Sequence, residues 1–530
     1  MSRAELATLD YRKLSYKPLF LDYLHRFEAL SPFFPGDPSA PSSWKKIEAE
    51  LDRSKHPRAS VAPALERLNR SLGADEPALE SVASLGAGAL AVVTGQQVGL
   101  LGGPLYTLYK ALTTVRLARW AASTLHRPVV PLFWMDADDH DFEEVRHAYL
   151  LSAGSDVLDL RYGEAEAESR VPVGGRKLDA SIEALLKEAR EALPPSEFQE
   201  EILDVLSSCY APGRTLAEAF GSWLLRMTRG TGLVVVDPTL PELKKAGSDL
   251  FARELGDGRA SSAAVLETTE KLLSLGYHAQ ASPSDAQLNL FFAGPDRRPV
   301  GLDEAPALAR RLGEEPECFS PNVLLRPLYQ DTLFPTIAYV AGPSELAYFA
   351  QLKGVYGHFG VTMPLIVSRN SFTVVERPQA RFLERYGVEL VRLASNDESV
   401  LNEILRQHAP RQLDEDLTRA RSCIQDITSA LERDLAAVDS TLVPTVQSTR
   451  GKLLHHLKEL ESKALRAVKR KNETVRHQFL STRTALFPDF SPQERKLSPL
   501  VFLNKYGWHF ARMVEEACDP GVKAHVLLYP

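Results

Sequence analysis

Apolar residues follow two rhythms along this chain, and the change of rhythm divides it. Up to about residue 372, short apolar runs end in polar clusters and alternate with stretches whose apolar positions recur every three or four residues. A short run bounded by turn residues reads as a buried strand, and three-four spacing as a helix with one face on a core. The runs are 91–93, 129–134, 233–236, 337–340 and 364–367, with 157–160 and 287–292 as further strands. Helix candidates between them are 105–120, 178–192, 198–209, 215–229, 239–257, 262–275 and 345–352. Repeated strand exits with polar residues, alternating with helices, favour α/β architecture.

Around this body the pattern is looser. Leu19, Tyr23, Phe27, Phe33 and Phe34 read as anchors of an N-terminal arm. Residues 44–82 read as helices separated by Pro57, Pro63 and the 73–77 region, and 297–320 as a charged peripheral segment after a turn at Gly294–Pro295.

The second rhythm begins at Gln412. Leu413, Leu417, Ala420, Ile424, Ile427, Leu431, Leu435 and Val438 step by threes and fours, a heptad-like seam. Pro444 and Gly451 flank a turn, and Leu453, Leu457, Leu460, Ala464, Val468, Val475 and Phe479 give a second long helix that Pro488 ends. Its basic section is Arg466, Lys469, Arg470, Lys471 and Arg476, read first as a solvated flank. The simplest structure is an antiparallel helical hairpin. Such a hairpin is too thin for its own core, so part of its face should pack elsewhere, a second subunit being one candidate. Residues 491–530 are apolar again and are expected to return to the globular body.

Composition narrows the picture. At 530 residues the chain needs two or more domains. A net charge of -7 argues against a general nucleic-acid binder. Cys209, Cys318, Cys423 and Cys518 stand far apart, so neither a zinc-thiolate cluster nor a disulfide framework is expected, which fits a reducing cytosol. With no signal-peptide pattern and no apolar stretch long enough to cross a bilayer, a cytoplasmic protein with no membrane partner is the default.

The candidate chemistry gathers at the strand exits. After the 91–93 run come Thr94, Gln96, Gln97 and a glycine-crowded turn, Gly95, Gly99, Gly102 and Gly103, with Pro104 suited to the first turn of the next, amphipathic helix. That turn either simply shapes the chain or receives an anion at the helix N-terminus. Lys110 bridges a phosphate or carboxylate, or is a solvated lysine. Asp136, Asp138, Asp139, His140 and Asp141 follow the 129–134 run; like charges so close need solvent, metal or facing cations. His140 beside carboxylates can relay a proton. Asn322, Arg326, Gln330 and Asp331 form another group, in which Arg326 can grip a phosphate or carboxylate with two parallel bonds. Gly342, Ser344 and Glu345 sit at a strand-to-helix turn, Ser368 and Arg369 follow a strand, and Lys505 lies where the last segment comes back. Strand exits of a parallel sheet share one rim, so these clusters are expected together.

The stretch TGQQVGLLGGPLYTLYKA followed by FWMDADDHDFEEV, with SPNVLLRP, PTIAYVAGPSE and FLNKYG, resembles the signature of the bacillithiol-synthesis cysteine-adding enzymes, the cysteine ligase BshC family. The resemblance covers nearly the whole chain. It implies a Rossmann-like parallel-sheet core over 1–373 with helical insertions near 150–230 and 262–320. It implies a long antiparallel coiled-coil domain over 374–490, a segment 491–530 returning to the core, and a homodimer involving the coiled coil. The implied reaction is the last step of bacillithiol synthesis, joining L-cysteine to glucosaminyl-malate through an amide bond, with ATP activating the cysteine carboxylate and Mg²⁺ as a reasonable companion. Similarity to class I synthetase cores makes adenylation attractive, yet Gly102-Gly103-Pro104-Leu105 stands where their histidine motif would be.

On that reading the glycine-loop amides and Lys110 stabilise a phosphate and Arg326 orients an anionic substrate. His140, Asp138 or Asp139 deprotonates the amine, or the carboxylates hold an ammonium. Thr94, Gln96, Gln97, Gly102, Gly103, Asn322, Gly342, Ser344, Glu345, Ser368, Arg369 and Lys505 complete the substrate or nucleotide site. The rivals are a nucleotidyltransferase or ATP-dependent ligase acting on another small amine, and a noncatalytic coiled-coil assembly protein, which the polar strand exits disfavour.

Overall fold

The computed structural model describes residues 4–164, 171–257, 259–293, 297–407 and 411–530; the side chains at 411, 413, 414, 465, 469 and 471 lie outside that description. The expected turn at Gly294–Pro295 and the side chains of Leu413, Lys469 and Lys471 therefore fall outside the described residues. The chain forms two compact units, Met1–Val374 with Gln493–Pro530, and Val375–Pro492.

The first unit is built on five parallel strands: β1 (Leu90–Gln96), β2 (Val129–Met135), β3 (Val234–Val236), β4 (Thr336–Ala341) and β5 (Leu365–Ser368). Their order is β5-β4-β1-β2-β3. The runs are continuously apolar because both sheet faces are covered. Leu90 and Val92 point into one apolar cluster with Trp44, Ile47 and Leu117, whereas Ala91 and Val93 point into the other with Trp134 and Tyr339. From β1 the chain winds outward through β2 and β3, then crosses back to β4 and β5. The winding direction thus reverses between β1 and β4, which opens a crevice beyond their C-terminal ends. This is the Rossmann-like core that the resemblance implies.

Several local expectations change. Helix α1 (Leu105–Leu125) is not amphipathic: Thr107, Lys110, Thr113 and Thr114 are buried along with its leucines. It packs between the sheet and the helices Gln493–Lys496 and His509–Ala517, so neither side meets water along most of its length. Pro104 is its extended N-cap rather than a first-turn residue. Pro63 separates nothing; it lies inside helix Arg58–Ser71, where it gives up one backbone bond. Residues 239–257 form two helices, Pro241–Ala246 and Ser248–Asp257, broken at Gly247, where a Cβ would collide with the Tyr329 ring.

The 297–320 segment is not peripheral. Arg297–Gly301 and Phe319–Pro321 flank Gln287–Ala293 in an antiparallel sheet, and Val300, Leu308, Leu312 and Phe319 join the main core. In the last part of this unit, His525–Tyr529 lies between Glu5–Leu9 and Phe372–Val374 in a third sheet.

Two short helices of the first unit frame the crevice, α2 (Arg326–Leu333) and α3 (Pro343–Phe349). In the second unit α4 (Arg411–Val438) and α5 (Val443–Lys471) pack against each other, tied by Arg450–Glu432 and Arg421–Glu461, each at 3.1 Å. The turn lies at 439–442; Pro444, in the first turn of α5, flanks it as expected, whereas Gly451 lies well inside α5. The second helix is also not continuous. It stops at Lys471, Asn472 leaves helical geometry, and α6 (Glu473–Leu486) begins. Among the described residues no helix is long and apolar enough to cross a membrane.

Candidate functional site

A cavity of about 880 Å³ occupies the crevice. Its floor comes from the strand exits: Gly95 and Gln96 of β1, Trp134 of β2 and Asp136 after it, Gly342 after β4 and Arg369 after β5. Gln97, Asp138, Asp139, His140, Glu144, Asn322, Arg326, Ser344 and Glu345 line it too.

The two halves of the sheet are strapped together under this cavity. Thr94, itself away from the lining, donates from its hydroxyl to the Val340 carbonyl at 2.8 Å, stitching β1 to β4. Lys110 reaches up from α1 to the Gly95 carbonyl, to Gln96 Oε1 at 3.2 Å and to Glu345 Oε2 at 2.6 Å. Its three donors are thereby engaged. Lys110 is 1% exposed, so it is not the solvated lysine that its place in the sequence also allowed. Glu345 additionally accepts from the Gly342 N–H and the Tyr339 hydroxyl, both at 2.7 Å. Burial pushes the Glu345 carboxyl up, but Lys110 and these hydrogen bonds outweigh it and hold it below the usual range.

One wall is acidic. Asp138 is anchored by the buried Lys244 at 2.6 Å. Gln97 donates to both Asp139 (2.6 Å) and Glu144 (2.9 Å), and burial pushes the Glu144 carboxyl up. Asp141 caps the short helix Phe142–Val145 instead of facing the cavity. Asp136 lies 3.8 Å from Arg326, and burial raises its carboxyl against that charge.

Cations line the cavity as well. Arg326 leaves α2 to reach Tyr348 Oη at 3.0 Å and Tyr339 Oη at 3.3 Å. Arg297, from the segment expected to be peripheral, lies over the Phe291 ring, donates to Ser320 Oγ at 3.1 Å and to His140 Nδ1 at 2.9 Å. Because a guanidinium only donates, His140 Nδ1 accepts in this arrangement, and a neutral ring carries its proton on Nε2. Arg495 contributes a further, exposed guanidinium. Arg369 lines the cavity but is bound to the buried Glu494 by two bonds, 2.7 and 2.9 Å.

The remaining expected site residues lie elsewhere. Gly102 and Gly103 are not in the lining, and their amides are taken. Gly102 donates to Gly99 O and Tyr210 Oη, and Gly103 to Leu100 O. The start of α1 is closed as well, Leu105 donating to the Leu497 carbonyl at 2.8 Å. Ser368 turns its hydroxyl to the Arg369 carbonyl, and Lys505 lies beside the Phe502 ring. Sequence reasoning passed over Arg297, Arg495 and Lys244. For Arg495, Gln493-Glu494-Arg495-Lys496 is a charged cluster after a proline, the one signal that could have drawn notice. Among the described residues no group of three or more His, Cys, Asp or Glu is arranged to hold a metal.

Comparison with known proteins agrees with this architecture. Residues 4–370 match the family model "Bacillithiol biosynthesis BshC, N-terminal Rossmann-like domain", and residues 372–530 match "Bacillithiol biosynthesis BshC, C-terminal coiled-coil domain". A protein of Salinibacter ruber named "Putative cysteine ligase BshC" is 36% identical, the match covering 96% of each chain. Proteins of the same name from Chlorobaculum tepidum (94% of this chain, 95% of the other) and Koribacter versatilis (92% and 93%) are each 32% identical. A solved Campylobacter jejuni structure described as "putative arginyl t-RNA synthetase" shares 10% identity over 77% of this chain and 94% of its own, at a TM-score of 0.21, too little to bear on the fold. On both family models and full-length relatives, the chain belongs to the bacillithiol biosynthesis BshC family of cysteine ligases.

Proposed function

We propose that the cavity joins L-cysteine to glucosaminyl-malate through an amide bond, with ATP activating the cysteine carboxylate. The observation that carries this reading is the gathering of carboxylates and arginines in the lining of one cavity. A condensation of this kind must hold an ammonium and several carboxylate or phosphate oxygens side by side. Carboxylates serve the first and guanidinium forks the second.

Arg326 orients an anionic substrate group. Since the glycine-loop amides are already bonded, further anionic oxygens fall to Arg297 and Arg495 rather than to Gly102 and Gly103. An aspartate of the cavity takes the proton of the attacking amine, since His140 spends its Nδ1 lone pair on Arg297 and carries its own proton on Nε2. Lys110 keeps the floor rigid through Glu345. Mg²⁺ would enter with the nucleotide phosphates and one or two carboxylates, since no preformed cage is found among the described residues. We further propose a homodimer through the helical unit, supported by apolar side chains left exposed on α4 and α5.

The test is incubation of the purified full chain with cysteine, glucosaminyl-malate, ATP and Mg²⁺, following product mass and nucleotide together. The expected result is the cysteinyl amide with AMP, if the acyl group is adenylated, or ADP, if it is phosphorylated. A folded protein that binds nucleotide yet never incorporates cysteine would exclude the reading.

A further inference from the structure

Five carboxylates line the cavity: Asp136, Asp138, Asp139, Glu144 and Glu345. Four of them are committed. Asp138 holds Lys244, Asp139 and Glu144 share the Gln97 amide, and Glu345 receives Lys110, Tyr339 and the Gly342 amide. Asp136 alone accepts no hydrogen bond among the described residues, and its ion-pair contact with Arg326 is long, 3.8 Å. It is nevertheless fixed in place. Its backbone N–H donates to the Gln96 carbonyl at 2.9 Å, extending the β1–β2 ladder by one rung. Asp136 therefore stands at the exit of β2, next to β1, and lines the cavity with a carboxylate that accepts no hydrogen bond from the described residues.

We propose that Asp136 is the catalytic residue that binds the substrate ammonium and takes its proton. The proposal rests on the amide-forming reading above and selects one residue from the acidic wall. A carboxylate left without donors in a partly enclosed site is completed by an N–H donor from substrate. The charged groups around it are Arg326 on α2, Lys110 on α1, Glu345 on α3 and Asp139 in its own loop. Burial raises its carboxyl, Arg326 opposes that, and the net direction is up, toward the range in which a carboxylate works as a base.

The step balances as follows. Asp136 removes one proton from the ammonium, freeing the nitrogen lone pair. That pair attacks the carbonyl carbon of a cysteinyl–phosphate mixed anhydride. The C–N bond forms and the C–O bond to phosphate breaks, the phosphate oxygen keeping the bonding pair. The second proton on nitrogen passes to solvent or to the departing phosphate, and Asp136 releases its own to solvent.

The experiment uses the full chain with Asp136→Asn, which keeps shape and removes the base. Two acceptors are compared, glucosaminyl-malate and hydroxylamine, the latter neutral at pH 7 and able to capture the activated cysteine without a base. Amide formation should fall about 100-fold or more while cysteine hydroxamate stays within about threefold. The residual amide rate should climb with pH as free amine increases, whereas wild type levels off. Amide formation within about threefold of wild type, or equal loss with both acceptors, would overturn the assignment. If Asp136→Asn does not fold, Asp136→Glu decides: amide formation impaired no more than hydroxamate formation overturns it, and selective amide loss supports it. Wild type that yields neither product would instead sink the amide-forming reading itself, so the two failures are separable.

Discussion

Lys110 Nζ sits 2.6 Å from Glu345 Oε2, directly beneath the place where the sheet reverses direction. One group is carried by the helix after β1 and the other by the helix after β4, so the pair bridges the two halves of the fold. Removing Lys110 strands the Glu345 carboxylate, but that group is 21% exposed and keeps the Tyr339 and Gly342 donors, so the cost falls below about 3–5 kcal/mol, the figure for a fully buried pair. Lys110→Met should therefore lower the urea midpoint, followed by tryptophan fluorescence. The double variant Lys110→Met with Glu345→Gln should lose less than the sum of the single variants. A Lys110→Met protein of wild-type stability, inactive because ATP no longer binds, would return Lys110 to the phosphate.

The glycine loop makes a second prediction of the same kind. Gly102 has φ +90°, and a Cβ there would lie 3.0 Å from the Trp223 ring. Tyr210 and the Leu497 carbonyl close the loop from distant parts of the chain. Gly102→Ala should thus destabilise the protein by about 1–3 kcal/mol through backbone strain and crowding. Per folded molecule, its KM for ATP should remain that of wild type. A raised KM at unchanged stability would place the nucleotide at these amides after all.

What the sequence disclosed and what it hid have a common physical cause. Strand exits were legible because apolar runs and the polar residues after them are adjacent in the chain, so Asp136–Asp141 and Gly95–Gln97 could be set on one rim from spacing alone. The partners that decide what each group can do are remote. Lys110 and Glu345 are 235 residues apart, Arg369 and Glu494 are 125 apart, and Arg297 and His140 are 157 apart. No local pattern encodes such pairs. Helix α1 misled for a different reason: Thr113 and Thr114 donate to the Tyr109 and Lys110 carbonyls of their own helix and Lys110 reaches the Gly95 carbonyl, so polar residues that suggested a wet face are satisfied indoors. Arg297 was lost because it stands in a charged stretch read as peripheral, whereas its strand pairs with Gln287–Ala293 and sets the guanidinium over Phe291 and against His140.

A third prediction concerns acid stability. Ser371 has one hydroxyl proton, and it points to Glu494 Oε1 at 2.9 Å. His525 Nδ1–H must then donate to Ser371 Oγ (2.7 Å), leaving Nε2 to accept from Thr373 Oγ1 (2.8 Å). The ring is held neutral, burial bringing it down to about 4 from its ordinary 6.5. A depressed histidine contributes stability that is complete above 6.5 and is lost as pH falls toward 4, since unfolding then takes up a proton. His56 is lowered to about 4 by burial as well, so wild type alone does not isolate the effect. Comparison with His525→Asn does. The stability gap between the two proteins should narrow by about 2–3 kcal/mol between pH 7.5 and pH 4.5 in urea titrations. A gap independent of pH would mean that the ring titrates in the folded protein as it does in the unfolded chain, and a gap that widens toward acid would mean that it is charged when folded; either overturns the prediction.

The helical unit supplies the last prediction. Were α4 and α5 a self-sufficient pair, the heptad-like seam would close between them. Instead the seam divides: Leu417, Ala420, Ile424 and Leu435 are half-buried, whereas Ile427 and Leu431 are 55% and 47% exposed. Thr428 takes the inner position beside Ile427, at 4% exposed. On α5, Leu453 and Leu460 are spaced seven apart and are 43% and 57% exposed. Covering one such side chain stabilises by about 1.5–3 kcal/mol at most, so the stripe becomes worthwhile only when several are covered together by another chain. Light scattering on the purified protein should then report twice the 58.7 kDa of one chain. Ile427→Glu with Leu460→Glu should halve that mass while leaving far-ultraviolet circular dichroism unchanged, because neither side chain supports the pair's inner face. A wild-type protein running at the mass of one chain, or a double variant that stays dimeric, would remove the helical unit from the interface.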